Sequence, residues 1–220
     1  MDTKQTVDYI NKKYNVITTE ELPLKLFVGR FEDIPKLFEE LKFERGAEIG
    51  VYRGQYSNIL LNDCSTLKNM ICVDAWEDYK GYHSDDSGVD YDVIPDMKSV
   101  YEFAKDLLSK HGSKVKMLKG WSVDVAKTIP DGSLDFVFLD GNHAYEYVVA
   151  DIAAWAPKVR KGGIIYGHDY DDYQSNKRHC YSINVINAVI GWTKSNKINP
   201  WYVLTNTKGD KRRHCWLYVK

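Results

Sequence analysis

At 220 residues the chain is long enough to bury one substantial core and short for two, so one decorated domain over 1–220 is expected. Hydrophobic residues make up 44%, charged residues 28%, and the formal net charge is -1, which gives a polyanion nothing to hold and makes nucleic acid an unexpected partner. No run reaches the ~20 apolar residues needed to cross a bilayer, and the polar start Met1-Asp2-Thr3-Lys4-Gln5 has no apolar signal core, so a cytoplasmic protein without a membrane partner is predicted.

The first 26 residues read as an N-terminal extension. Ile34, Leu37, Phe38 and Leu41 then recur with the spacing of a helix that buries one face, and Gly46 is expected to stop it before a first strand over 47–51. A helix follows around 56–61, then a strand Met70-Ile71-Cys72-Val73-Asp74. The segment 77–96 carries Asp85, Asp86, Asp90, Asp92 and Asp96 beside Tyr79, Tyr82 and Tyr91, and reads as a lid or acceptor loop. Beyond it come a helix 97–108, a strand 115–118, a short helix 123–127, a strand Asp135-Phe136-Val137-Phe138-Leu139, a helix 145–155 and a strand 163–166.

Short continuous apolar strands alternating with helices are the pattern of a parallel sheet covered on both faces. At the end, 201–204 and 215–219 flank Thr207-Lys208-Gly209-Asp210 with no room for a crossover helix, so they form an antiparallel hairpin. The fold expected is α/β: a Rossmann-like, doubly wound, seven-stranded, mostly parallel sheet closed by a C-terminal hairpin. Cys64, Cys72, Cys180 and Cys215 are scattered and read as free thiols.

Groups suited to one ligand stand at successive strand ends. The first strand runs through Glu48-Ile49-Gly50-Val51-Tyr52-Arg53-Gly54 into a helix, a turn where glycines admit a ligand close to the backbone and the helix offers N–H groups. The spacing G-x-x-x-G is not the G-x-G-x-x-G of dinucleotide binders, so NAD is not expected. Asp74, about 20 residues on, can accept hydrogen bonds from two ribose hydroxyls, with Ala75 and Trp76 beside it. After the third strand, Gly120-Trp121-Ser122 offers an indole to stack near an adenine and a hydroxyl to bond its edge.

The run Ala47-Glu48-Ile49-Gly50-Val51-Tyr52-Arg53-Gly54-Gln55-Tyr56-Ser57 resembles motif I of class I S-adenosylmethionine (SAM)-dependent methyltransferases. The likeness is greatest to the small O-methyltransferases of the catechol and macrocin type, over roughly 46–170. The resemblance implies that Glu48, Gly50, Tyr52, Arg53, Gly54 and Ser57 surround the methionine half of SAM. Asp74, Ala75 and Trp76 would then meet the ribose, and Gly120, Trp121 and Ser122 the adenine.

The fourth strand ends in Asp140-Gly141-Asn142-His143 and the fifth in His168-Asp169, which a parallel sheet makes neighbours beside the cleft, so Asp140, His168 and Asp169 are a candidate metal triad. In the metal-dependent families resembled, acids at these two strand ends hold the metal and a base stands three residues after the first. Asp140 and Asp169 match as ligands, Asp140 also as a cofactor-cleft residue. His168 stands in place of an acid, and His143 falls at the base position, where an ordinary pKa of ~6.5 suits neutral pH. These two substitutions leave open whether the metal is Mg²⁺, another divalent ion, or required at all. His83, His111, His179 and His214 receive no role, and Lys208, Lys211, Arg212 and Arg213 read as a solvated turn.

The function expected is SAM-dependent O-methylation of a small hydroxylated acceptor, such as a sugar, a phenol or a natural-product intermediate, with His143 and Asp140 as catalytic residues. The competing readings are a metal-independent N-methyltransferase and a SAM-binding module without transfer. A homodimer is the one oligomer considered.

Overall fold

The computed structural model describes residues 1–19, 21–77, 96–170, 172–173, 183–206 and 214–220. The elements are α1 (Thr3–Lys13), β1 (Leu24–Leu26), α2 (Asp33–Glu40), β2 (Arg45–Ile49), α3 (Gln55–Asp63), β3 (Asn69–Asp74), α4 (Met97–Ser109) and β4 (Val115–Lys119). They continue with α5 (Ser122–Ala126), β5 (Leu134–Leu139), α6 (Tyr145–Trp155), β6 (Val159–Gly167), β7 (Asp172–Tyr173), β8 (Ile183–Asn184), α7 (Val185–Ser195), β9 (Trp201–Leu204) and β10 (Cys215–Val219).

Eight strands form one sheet in the order β1-β9-β10-β6-β5-β2-β3-β4. From β6 to β4 all neighbours are parallel, whereas β10 is antiparallel to both β6 and β9. The chain therefore steps outward through β2, β3 and β4 and then returns to place β5 on the other side of β2. That reversal opens a crevice above the carboxyl ends of β2 and β5.

All seven predicted strands are present. The eighth is β1, which pairs in parallel with β9 and belongs to the stretch read as an extension. The same stretch holds α1, started by a capping box between Asp2 and Gln5. Thr6 Oγ1 in α1 donates to the Gly162 carbonyl at 2.9 Å, so the first turn of the chain lies on β6. Also unforeseen was α7, whose Val185, Ala188 and Val189 are buried on one helical stripe.

The strands alternate between two cores. Phe136, Phe138, Ile164 and Tyr166 face α2, α3 and α4, while Val137, Leu139 and Ile165 face α6 and α7. Helix α2 ends at Glu40 and is closed just beyond it, not at Gly46: Lys42 takes φ 56°, and the Phe43 and Lys42 N–H groups return to the Phe38 and Glu39 carbonyls, a Schellman closure. Gly46 lies inside β2 opposite Phe136, where a Cβ would stand 2.0 Å from the ring. Phe136 cannot give way, because it stacks on Phe38 at 4.2 Å and is fully buried. Gly46→Ala should thus cost about 2–3 kcal/mol in chemical denaturation; an unchanged midpoint would show that this packing yields.

Candidate functional site

The turn after β2 is held in a backbone shape that side chains rarely adopt. Gly50, Tyr52 and Gly54 all have positive φ, 86°, 50° and 75°. At Gly50 a Cβ would stand 2.1 Å from the Asp140 carbonyl oxygen, so the β2 and β5 ends approach backbone to backbone. Gly54 is the left-handed N-cap of α3. Asp74 ties this turn to the next strand end: its Oδ2 accepts from Tyr52 N–H and its Oδ1 from Trp76 N–H, both at 2.8 Å. Burial raises the Asp74 pKa despite those backbone donors. The Val51 and Ala75 N–H groups also donate to this carboxylate, so four backbone donors fix it at the end of β3.

Three of the residues expected around the cofactor are buried away from the cleft. Trp76 is 1% exposed, and its indole donates to the Tyr52 carbonyl at 2.9 Å from below while its ring meets Tyr101 edge-on. Its side chain supports the turn. Glu48 and Ser57 are likewise buried, and Ser57 Oγ donates to Glu48 Oε2. Their side chains join β2 to α3. Tyr52 and Arg53 stay exposed, with the Arg53 guanidinium over the Tyr52 and Phe103 rings. Ala75 is half-buried at the end of β3.

Glu48 carries a stability consequence. Burial drives its pKa up to about 8, reinforced by the charge of Asp140 and opposed by the Ser57 hydroxyl and by Arg30. A carboxyl whose folded pKa lies above its unfolded value stabilises the fold below the unfolded pKa and loses that contribution as pH rises through the folded one. Between pH 5 and 8 the wild type should lose stability that Glu48→Gln retains, read as denaturation midpoints at each pH. Parallel curves for the two proteins would contradict a protonated Glu48.

At the end of β4, the Gly120 N–H donates to the Asp74 carbonyl, and Trp121 is 42% exposed. Ser122 Oγ donates to Asp151 Oδ1 at 2.5 Å and accepts from the Trp155 indole, so its proton is committed within the fold. Burial lifts the Asp151 pKa to about 6.

The acids and histidines do converge. Asp140 follows β5 and His168-Asp169 follows β6, and the pairing of Leu139 with Gly167 sets them side by side. His143 Nε2 lies 3.3 Å from Asp140 Oδ1 and 3.0 Å from Asp169 Oδ2. His168 Nδ1 lies 3.5 Å and 3.3 Å from the same two oxygens. Burial would discharge His143, but its hydrogen bonds to Asp140 and Asp169 outweigh that and hold it up at about 9. Both carboxyls, although burial opposes their charge, are held well below the usual carboxylate range by the two imidazoles. The two carboxylates beside it thus favour the protonated imidazole.

Sequence reasoning missed Arg30. From the loop before α2 its Nη1 reaches Asp140 Oδ2 at 3.3 Å, and its guanidinium lies 4.6, 5.0 and 5.5 Å from the Phe31, Tyr56 and Phe138 ring centres. No local spacing announces a partner 110 residues away.

Several expectations concern residues outside those described: most of the loop 77–96, Cys180, His83, His179 and the basic run 208–213. Asp96 is described and caps α4 by accepting from Lys98 and Ser99 N–H. Cys64 and Cys72 are buried free thiols, and Cys215 is buried in β10. Among the described residues no helix is long and apolar enough to cross a membrane.

Comparison with known proteins agrees with this geometry. Residues 47–170 match the family model described as a methyltransferase domain. A curated relative, the uncharacterized protein R132 of Acanthamoeba polyphaga mimivirus, is 35% identical over 96 residues, which span 41% of this chain and 42% of that protein. An O-methyltransferase from Bacillus cereus, solved with S-adenosylhomocysteine (SAH), superposes with TM-score 0.59 at 13% identity over 99% of this chain and 90% of that one. TomG from Streptomyces achromogenes, an O-methyltransferase of tomaymycin synthesis solved with SAM, gives 0.55 at 15% identity over 100% and 99%. With more than half its length matched, the chain belongs to the methyltransferase-domain family, and its fold is that of the class I SAM-dependent methyltransferases.

Proposed function

We propose that the chain transfers the methyl group of SAM to an oxygen of a small hydroxylated acceptor, with a divalent metal assisting. The observation that carries this reading is the meeting of Asp140, His143, His168 and Asp169 at the ends of β5 and β6, next to the turn built on Gly50 and Asp74. The names of the Bacillus and Streptomyces proteins support oxygen as the atom methylated.

The turn fits the donor. Gly50 lets the ends of β2 and β5 meet backbone to backbone, and Asp74 stands at the neighbouring strand end, where a carboxylate suits ribose hydroxyls. SAM supplies an electrophilic methyl group on a sulfonium, so the chain's own residues have to align an acceptor and manage one proton. The acid and histidine cluster fits a divalent ion, and such an ion supplies Lewis-acid activation of a hydroxyl. Asp140, Asp169 and His168 would hold it, and Arg30 fixes the outer oxygen of Asp140. Residues 1–220 are read as one methyltransferase domain, because α1 and β1 pack onto the same sheet as the matched segment.

The test incubates the protein with methyl-labelled SAM and a panel of catechols, sugars and amines, following SAH release and the labelled product. Label on an ether oxygen is expected. Label on nitrogen, or SAH binding with no turnover across the panel, would replace this reading with one of its two competitors.

A further inference from the structure

We propose that the cavity beneath the loop 140–144 is a specificity site for the acceptor, in which Asp151 Oδ2 takes a hydrogen bond from a hydroxyl other than the one methylated. The identity of the ligand rests on the methyltransferase reading above, and the site on a buried carboxylate.

Asp151 is 8% exposed and lies on the inward stripe of α6 with Val148 and Trp155. Its Oδ1 accepts from the Ser122 hydroxyl, which is itself held by the Trp155 indole at 2.9 Å, so the orientation of the carboxylate is fixed. Among the described residues nothing donates to Oδ2. Withdrawing a carboxylate oxygen from water without a donor is costly, and burial raises the Asp151 pKa accordingly. If this side chain only joined α6 to α5, a neutral amide would accept from Ser122 as well and avoid that cost. The bare oxygen calls for a donor from outside the fold.

The cavity that Asp151 lines has an apolar wall of Leu139, Val148 and Trp216 and is completed by Gly141 and His143. Its empty space is about 250 Å³ including open solvent, and the enclosed part holds a group about the size of one water, so a hydroxyl arm fits and a ring does not. Gly141 leaves Oδ2 uncovered, since a Cβ there would stand 3.3 Å from it. His143 belongs both to this cavity and to the acid and histidine cluster, so a molecule whose reacting oxygen lies at the cluster reaches Asp151 from there. Charge selects a hydroxyl over an amine. The bonds of His143 to Asp140 and Asp169 favour its imidazolium, whose charge already acts on Asp151, and a second cation in this poorly solvated space would be repelled. The class of acceptor is therefore polyhydroxylated, with one hydroxyl on a short arm.

The full chain with SAH is titrated with hexoses and hydroxybenzyl alcohols, each beside the analogue whose arm hydroxyl is replaced by hydrogen and the one where it is an amine, following the Trp216 indole N–H by NMR. In the wild type, loss of the arm hydroxyl should weaken binding at least about 10-fold. Asp151→Asn keeps an acceptor for Ser122 but turns a donor into the cavity, and Gly141→Ala covers Oδ2 with a methyl group. Each should reduce that difference below about 3-fold while the variant still binds SAH as the wild type does. No binding by any compound, equal binding of hydroxyl and deoxy forms, tighter binding of the amine, or a wild-type preference in folded Asp151→Asn would overturn the proposal. Methyl transfer from SAM to these compounds without such a preference also overturns it and leaves the methyltransferase reading standing. A preference that depends on Asp151 without any transfer supports the site and removes that reading.

Discussion

Gly50→Ala should weaken SAH binding at least 100-fold and lower stability by about 3 kcal/mol, because the added Cβ meets backbone and not a movable side chain. Its nearest neighbours would be the Asp140 carbonyl oxygen and carbon at 2.1 and 2.4 Å and Gly141 N at 2.7 Å. Relief by sliding β5 away is blocked, since the Asp140 N–H donates to Ile49 O at 2.8 Å and the Gly50 N–H to Val73 O at 2.9 Å. With φ at 86°, alanine is strained even where space exists. Isothermal titration with SAH and a denaturant melt report the two effects. Wild-type affinity in a folded variant would mean that the donor does not lie over this turn.

Asp140→Asn should reduce turnover about 1000-fold while SAH affinity moves less than 10-fold, the loss expected when an electrostatic centre is removed from a preformed site. Asp140 meets Arg30 through one oxygen and both His143 and His168 through the other. Asparagine keeps the shape and one acceptor oxygen but removes the charge that Arg30, His143 and His168 share. Asp140→Ala should go further and destabilise the fold by about 3–5 kcal/mol, since it removes a buried carboxylate from beside Arg30, His143 and His168. A comparable loss of SAH affinity and turnover in Asp140→Asn would place the side chain on the donor instead of the acceptor.

The two faces of the sheet explain why its interior strands were legible. Each of β3, β5 and β6 is covered on both sides, so an unbroken apolar run such as Phe136-Val137-Phe138-Leu139 can only be a buried strand between helices. β1 escaped that logic: three residues with a buried-exposed-buried pattern carry no period of their own, and the edge exists only because β9 is there to pair with. Helix α7 does show a helical stripe, but its neighbours in the sequence hid where it begins. Gly46 was misplaced for a related reason. A glycine after a helical pattern reads as a stop, and only the ring of Phe136 across the ladder shows why the position must be bare.

Chain order and residue type alone settled the α/β class, the hairpin at the end, and which strand ends carry Gly50, Asp74, Asp140, His143, His168 and Asp169. These are local properties, set by periodicity and by turns a few residues long. Which side chains point into the cleft was decided by packing between distant segments. Trp76, Glu48 and Ser57 look equivalent to Tyr52 and Arg53 along the motif, yet the first three are drawn inward because burial and mutual hydrogen bonds satisfy them there. The charge state of His143 was likewise beyond any local reading, since it depends on two carboxylates from different strands. Arg30 reached Asp140 only when the loop before α2 folded against β5 and stacked its guanidinium on the aromatic rings waiting there.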